Sequence, residues 1–102
     1  MNSITALALK QKINSAEDFQ LIDVREAFEH DDFNIGGEWI PLNEITLQIE
    51  RIATDKPVII YCRKGLRSQI AIQRLQEKCH FTNLFNLIGG TEAWQKQFGV
   101  KS

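Results

Sequence analysis

Five consecutive apolar residues, Val58-Ile59-Ile60-Tyr61-Cys62, run without a polar break between Pro57 and Arg63. A strand with one wet face alternates apolar and polar side chains, whereas an unbroken run of this length suits a strand buried on both faces. Pro57 at the head of the run removes no ladder hydrogen bond that the strand needs. Directly afterwards the period changes. From Gly65 to Cys79 the sequence reads as a helix, with Ile70, Ala71, Leu75 and Cys79 predicted along its apolar face. A doubly buried strand feeding a helix belongs to an α/β architecture, with a mostly parallel sheet and helices on both faces.

The flanking sequence extends that pattern. Ile4 suits a short first strand, and Thr5 can cap a helix in which Ala6, Leu9 and Ile13 recur at helical spacing. Phe19 to Val24 is a second buried strand. Ile45, Ile49 and Ile52, at i, i+4 and i+7, predict an amphipathic helix lying on the sheet. Leu84 to Ile88 forms a last strand, Gly89-Gly90 breaks it, and Thr91 to Phe98 returns to helix with Ala93, Trp94 and Phe98 inward. With 102 residues and no repeat or linker, the expectation is one domain over residues 1–102.

Charge and cysteine usage narrow the function. The formal net charge is −1, so a general affinity for nucleic acid or an anionic membrane is not expected. Met1 to Lys10 carry no basic stretch followed by a long apolar run, so no secretory leader is expected, and no apolar stretch approaches the roughly 18 residues of a membrane span. Two cysteines in such a chain read as thiols in a reducing compartment, the cytoplasm by default.

Parallel sheets place their sites beyond the C-terminal ends of strands. Between the clearest strand and the clearest helix lies Cys62-Arg63-Lys64-Gly65-Leu66-Arg67-Ser68. A cysteine there faces a helix N-terminus with its unpaired N–H groups, and Arg63, Lys64 and Arg67 add positive charge. Each influence favours thiolate over thiol, where an unperturbed thiol of pKa about 8.5 is only about 3% ionised at pH 7. Gly65 supplies the positive φ that lets backbone amides turn inward around one atom. Basic side chains at a helix start oppose the helix dipole, so they make poor decoration and good anion-site residues. Cys62 is therefore the expected nucleophile, and Arg63, Lys64, Gly65, Leu66, Arg67 and Ser68 the expected substrate-binding loop.

This loop resembles the active-site loop of rhodanese domains. Leu21-Ile22-Asp23-Val24-Arg25-Glu26 is similar to that family's early strand motif, and Gly89-Gly90-Thr91-Glu92-Ala93-Trp94 to its C-terminal motif, in matching order and spacing. The resemblance implies a rhodanese-like fold with a five-stranded, mostly parallel sheet. It also implies transfer of sulfane sulfur, from a donor such as thiosulfate, through a Cys62 persulfide to a thiol or cyanide. It further suggests that Asp23 and Arg25 pair to brace neighbouring loops. One stretch departs from the family: Phe33-Asn34-Ile35-Gly36-Gly37-Glu38 stands where Gly-His-Ile-Pro-Gly-Ala is usual, so that Asn34 replaces the His.

Cysteine phosphatases use the same logic with five residues between Cys and Arg. Here four intervene, which leaves room for one sulfur and little for a phosphoryl group. The remaining alternative is a persulfide carrier, loaded by one protein and unloaded by another. The expected partners are a small sulfur donor and a thiol acceptor, including a protein acceptor, with no cofactor and no metal.

Several other residues invite plainer readings. Cys79 is expected to be a buried helix-face thiol and His80 to end its helix in the left-handed region. His30 and His80 make no ligand-spacing motif with the cysteines. Trp94 is expected in the core, while Trp39 fits either core or cleft. Glu26, Glu29, Asp31 and Asp32 are expected to form a solvated face.

Overall fold

The computed structural model describes residues 1–99. Five strands, β1 (Ser3–Ile4), β2 (Gln20–Asp23), β3 (Glu38–Trp39), β4 (Val58–Tyr61) and β5 (Leu84–Leu87), form one sheet in the order β1-β5-β4-β2-β3. Every pairing in it is parallel. The helices are α1 (Ala6–Asn14), α2 (Ala27–Asp32), α3 (Leu66–Lys78) and α4 (Gly90–Phe98). The unbroken apolar run therefore becomes the central strand, with all four β4 residues fully buried.

Alternation along β4 divides the interior. Val58 and Ile60 face a core that contains Ile45, Ile52, Ala71, Ile72 and Leu75, while Ile59 and Tyr61 face one with Leu9, Leu21, Leu87 and Trp94. Helices α1 and α4 thus cover one face, and α3 with the 42–51 segment covers the other. Thr5 caps α1 as its sequence suggests, its hydroxyl accepting from the Ala8 amide at 3.1 Å.

Three expectations need correction. Ile45, Ile49 and Ile52 do pack against the sheet-side core, but from two 3-10 turns, Leu42–Leu47 and Ile49–Arg51, and the extended residue Ile52 after them, rather than from one α-helix. Gln48 leaves helical angles (φ −115°, ψ 31°) between them, and apolar spacing reports which residues turn inward, not the pitch that turns them. On α3 the buried stripe is Ser68, Ala71, Ile72 and Leu75, and Ile70 is 40% exposed. A polar Ser68 does not announce itself as a core residue, yet it opens the i, i+3, i+4, i+7 rhythm of the buried stripe. His80 is not left-handed, because Cys79 turns fully extended (φ −139°, ψ 153°) and closes the helix through its own amide to Leu75 at 2.8 Å. Cys79 consequently leaves the helix face and lies half-buried against the α3-side core.

The departing stretch forms a tight connection into β3. Gly36 and Gly37 both have positive φ, and a Cβ on Gly37 would meet the Leu21 carbonyl oxygen at 2.3 Å. Asn34 donates to the His30 carbonyl oxygen at 2.9 Å, which ties the connection to the end of α2.

Candidate active site

The loop Cys62–Gly65 leaves the C-terminal end of β4 and enters α3 through Gly65, which sits at φ +92° and so needs no Cβ penalty. This turn brings two amides onto the sulfur. Gly65 N–H donates to Cys62 Sγ at 3.1 Å and Ser68 N–H at 3.4 Å. Sulfur is thereby held at the first turn of a thirteen-residue helix, where unpaired N–H groups and the helix dipole favour negative charge. The amides of Arg63, Lys64, Leu66 and Arg67 donate to no backbone or side-chain acceptor among the described residues.

Ser68 Oγ lies 3.4 Å from the sulfur and also contacts the Asn86 side-chain oxygen on β5. A hydroxyl carries one proton. Directed to Asn86, it leaves Oγ free to accept from a thiol; directed to the sulfur, it becomes a third donor to an anion. Ser68 and Asn86 are both buried, so the choice is made away from water.

The loop is clamped from the far side by α4. Thr91 N–H donates to the Cys62 carbonyl oxygen at 2.9 Å and Glu92 N–H to that of Arg63 at 3.0 Å. These two bonds tie the loop backbone to the first turn of α4, which fixes its orientation. Gly90, with φ +56°, permits the approach.

The three loop cations have different surroundings. Arg67 makes a two-point pair with Glu29 of α2, at 2.7 and 2.8 Å. That hydrogen-bonded pairing, aided by the Glu26 backbone and the Arg25 charge, lowers the Glu29 carboxyl from its ordinary 4.5 to about 2. The same bond to Glu29 raises the Arg67 guanidinium. Arg63 pairs with Glu92 at 3.1 Å on the exposed rim. Lys64 has no carboxylate partner among the described residues. A cavity of about 270 Å³ over the sulfur is lined by Cys62, Arg63, Lys64, Leu66 and Arg67.

Asp23 and Arg25 lie beside this loop rather than in the cavity. Asp23, fully buried, accepts from Arg25 Nε at 2.9 Å and Nη2 at 2.8 Å, and His30 Nδ1 approaches it at 2.8 Å. Burial works against the Arg25 charge, but the Asp23 hydrogen bonds and charge outweigh it and raise the guanidinium. Arg25 also donates to the Phe33 carbonyl oxygen at 2.5 Å and stacks on the Tyr61 ring. Burial, reinforced by the Asp23 charge, pushes the Tyr61 phenol up, and its hydroxyl donates to the Gly36 carbonyl oxygen at 3.0 Å. Trp39 is resolved as a bracing residue: its indole N–H donates to the Arg25 carbonyl oxygen at 2.8 Å, with its ring stacked near His30.

Four contributors escaped the sequence reading. Glu29, expected on a solvated face with Glu26, Asp31 and Asp32, has a side chain only 13% exposed and bound to Arg67. Gly90 and Glu92 meet Cys62 and Arg63 across 28 and 29 positions, and Asn86 meets Ser68 across 18, so no local pattern announces such contacts. Cys79 is a free thiol, as Cys62 is. Among the described residues, no three His, Cys, Asp or Glu side chains converge as metal ligands, and no helix is long and apolar enough to cross a membrane.

Comparison with known proteins places this geometry. The family model for the rhodanese-like domain matches residues 5–97. The chain is 43% identical over 83 residues to the uncharacterized protein YqhL of Bacillus subtilis, covering 80% of this chain and 65% of that one. It is 33% identical to the putative sulfur carrier protein YrkF of the same organism, covering 89% of this chain and 49% of that one. A sulfurtransferase of Allochromatium vinosum is 32% identical, covering 94% and 90% respectively. Among solved structures, a rhodanese-related protein from Thermoplasma volcanium superposes with a TM-score of 0.83 at 27% identity, covering 96% of this chain and 94% of that one. The chain thus spans half to two thirds of the first two relatives and nearly all of the third.

Proposed function

The chain belongs to the rhodanese-like domain family, and we propose that it is a sulfurtransferase in which Cys62 carries sulfane sulfur as a persulfide. The observation that carries this reading is the sulfur at the end of β4, receiving the Gly65 and Ser68 amides, in a loop whose four other amides have no acceptor among the described residues. In the first half-reaction the Cys62 thiolate attacks the outer sulfur of the donor. The donor's S–S bond breaks, a new S–S bond forms on Cys62, and the remainder of the donor leaves as an anion. Cations at the cavity wall offset the charge on that leaving group, and the amides hold the persulfide. A thiol or cyanide then takes the outer sulfur and restores Cys62.

Phosphoryl transfer is the weaker use of such a loop. Neither a carboxylic acid nor an imidazole lines the cavity over Cys62, so nothing there stands ready to protonate a leaving alkoxide. A carrier role without turnover has one specific support, the relative named a putative sulfur carrier protein. The partners are a small sulfane-sulfur donor and a thiol acceptor, which includes a protein thiol. The reducing cytoplasm is the compartment in which both cysteines would persist as thiols.

Intact mass after incubation with thiosulfate tests the assignment. Wild type should gain one sulfur, and Cys62→Ser should gain none while keeping its melting temperature. Sulfur retained on Cys62→Ser, or none on wild type with any sulfane donor, rejects it. Multiple turnovers with cyanide would identify an enzyme, whereas stable loading without turnover would identify a carrier.

A further inference from the structure

Asn86 is the polar exception in its strand. The rest of β5 is Leu84, Phe85 and Leu87, and Asn86 shares with Leu84 the sheet face packed under α3. It is 4% exposed, and its backbone is paired with Ser3 on one side and Ile60 on the other, so the side chain is delivered to a fixed point. An amide buried at an apolar position costs free energy unless its polar atoms are bonded. Its oxygen accepts from the Ser68 hydroxyl, while its nitrogen donates to no acceptor among the described residues. That nitrogen lies close to Gly65, beside a cavity of about 350 Å³ that Lys64 and Gln69 also line, so the amide has room to turn.

Ser68 connects this amide to the reactive sulfur, since its hydroxyl lies 3.4 Å from Cys62 Sγ and touches Asn86 at the same time. With its proton on Asn86, the Ser68 oxygen offers lone pairs to the sulfur, which suits a neutral S–H and opposes an anion. An ionised sulfur is the stronger acceptor and draws the proton to itself. Asn86 Oδ1 then faces the Ser68 oxygen with no hydrogen between them. Half a revolution of the amide exchanges oxygen for nitrogen in nearly the same volume, and Nδ2 becomes a donor to Ser68. Leu, of similar shape, can neither donate nor accept, and an ionised Asp only accepts; an amide does one at each end.

We propose that Asn86 is a positioning residue whose amide turns over with the charge on Cys62, so that the Ser68 hydroxyl donates to the sulfur when that atom is anionic and withdraws when it is not. This rests on the reading that Cys62 is the sulfur-carrying thiol. Before attack on a donor, Sγ is anionic and takes the hydroxyl as a third donor beside the Gly65 and Ser68 amides. In the persulfide Sγ is a neutral bridging atom, the charge sits on the outer sulfur, and the hydroxyl returns to Asn86 Oδ1. When an acceptor takes the outer sulfur, the S–S bond breaks, its electron pair stays on Sγ, and the hydroxyl turns back to meet it. No proton leaves Ser68 at any stage.

The test is the pH profile of Cys62 alkylation by iodoacetamide, with sulfur loading measured alongside, in the otherwise wild-type chain and in Ser68→Ala, Asn86→Leu and Asn86→Asp. All four carry Cys79→Ser, so that only one thiol reacts. The charged groups near the sulfur are common to all four: Arg63, Lys64 and Arg67 of the loop and α3, Glu29 of α2, Glu92 of α4, and Asp23, Arg25 and His30 beside them. Ser68→Ala loses the third donor, so the profile's midpoint should rise by about one to two pH units, with both rates about ten- to a hundredfold slower below it and recovered above it. Asn86→Asp holds the Ser68 proton away from the sulfur and adds a negative charge, and should shift the midpoint upward at least as far. Asn86→Leu removes one hydrogen bond from each charge state and should leave the midpoint within about half a unit. A midpoint that Ser68→Ala leaves unchanged or lowers means that the hydroxyl never donates to the sulfur. A shift of about a unit or more in Asn86→Leu means that the amide serves one charge state only. Slower rates at every pH with no midpoint shift mean a merely structural role. Each of these overturns the proposal, and the Ser68→Ala and Asn86→Leu pair decides it even where Asn86→Asp fails to fold. Alkylation reads Cys62 whether or not sulfur moves, so a wild type that takes no sulfur from any donor instead removes the reading beneath.

Discussion

A Cβ placed on Gly90 would stand 2.2 Å from the carbonyl oxygen of Cys62 and 2.6 Å from the carbonyl carbon of Arg63, at a residue whose φ is +56°. Both atoms are backbone, so no side chain can swing aside to relieve the contact. The loop must move, and with it the amides that Gly65 and Ser68 present to the sulfur. We expect Gly90→Ala to cost more than about 3 kcal/mol, combining left-handed strain with displacement of the clamp, and to lower the rate of sulfur loading at least about tenfold. Gly99→Ala is the matched control. Its φ of +83° and ψ of 178° also suit glycine alone, but nothing among the described residues lies within 4 Å of the added carbon, so it should cost about 1–3 kcal/mol of backbone strain and leave loading intact. Urea unfolding and loading rates measured on both variants separate the clash from the strain; equal behaviour would refute the clamp. The sequence displays Gly89-Gly90 as a strand breaker and as the head of a C-terminal motif, without saying what either glycine touches. What makes Gly90 matter is a partner 28 positions earlier, which a linear pattern cannot reveal.

The short helix α2 buries none of its six residues, so packing cannot hold it in place. Its attachments are polar. Glu26 and Glu29 form a capping box at its start, Glu29 grips Arg67, and His30 meets Asp23. Because the Glu29 carboxyl lies near 2 in the folded chain against an ordinary 4.5, its stabilisation is present above about pH 4.5 and is lost as pH falls toward 2. Arg67 is one-third exposed, so solvent screening reduces the expected contribution to about 1–2 kcal/mol. Chemical denaturation should therefore show Glu29→Gln less stable than wild type by that amount near pH 6, with the gap closing near pH 2. A gap independent of pH would mean the carboxylate charge is not what holds α2. The elements differ in how plainly the sequence announced them. Strand β4 and helix α3 were legible because each buries a continuous apolar set with one period. The 42–51 segment gave its inward residues but not its 3-10 pitch, since Ile45, Ile49 and Ile52 satisfy either geometry. Of the site, the loop was legible as a run of adjacent residues, whereas Glu29 was not: its partner is 38 positions away, and an acidic residue among acidic neighbours looks solvated.

The sheet serves two cores at once. Along β4, Val58 and Ile60 belong to the layer under α3, and Ile59 and Tyr61 to the layer under α1 and α4, so neither layer can loosen without disturbing the strand that carries Cys62. Leu9 and Leu75 are fully buried representatives of the two layers, on opposite faces. Truncating either to Ala removes a similar apolar volume and should cost about 2–5 kcal/mol, a large share of the roughly 5–15 kcal/mol that stabilises a domain of this size. Because the strand is shared, both variants should still unfold in one transition, with far-UV circular dichroism and Trp94 fluorescence in a Trp39→Phe background giving the same midpoint. Trp94 reports the α1–α4 layer through its buried contact with Phe98, while circular dichroism averages over all helices. If Leu75→Ala split the two probes, the α3 layer would melt alone, and the Cys62 loop would sit on the weaker half of the molecule. Coincident midpoints would instead mean that the reactive sulfur keeps its amides until the whole sheet fails, so that sulfur loading persists to the edge of the unfolding transition.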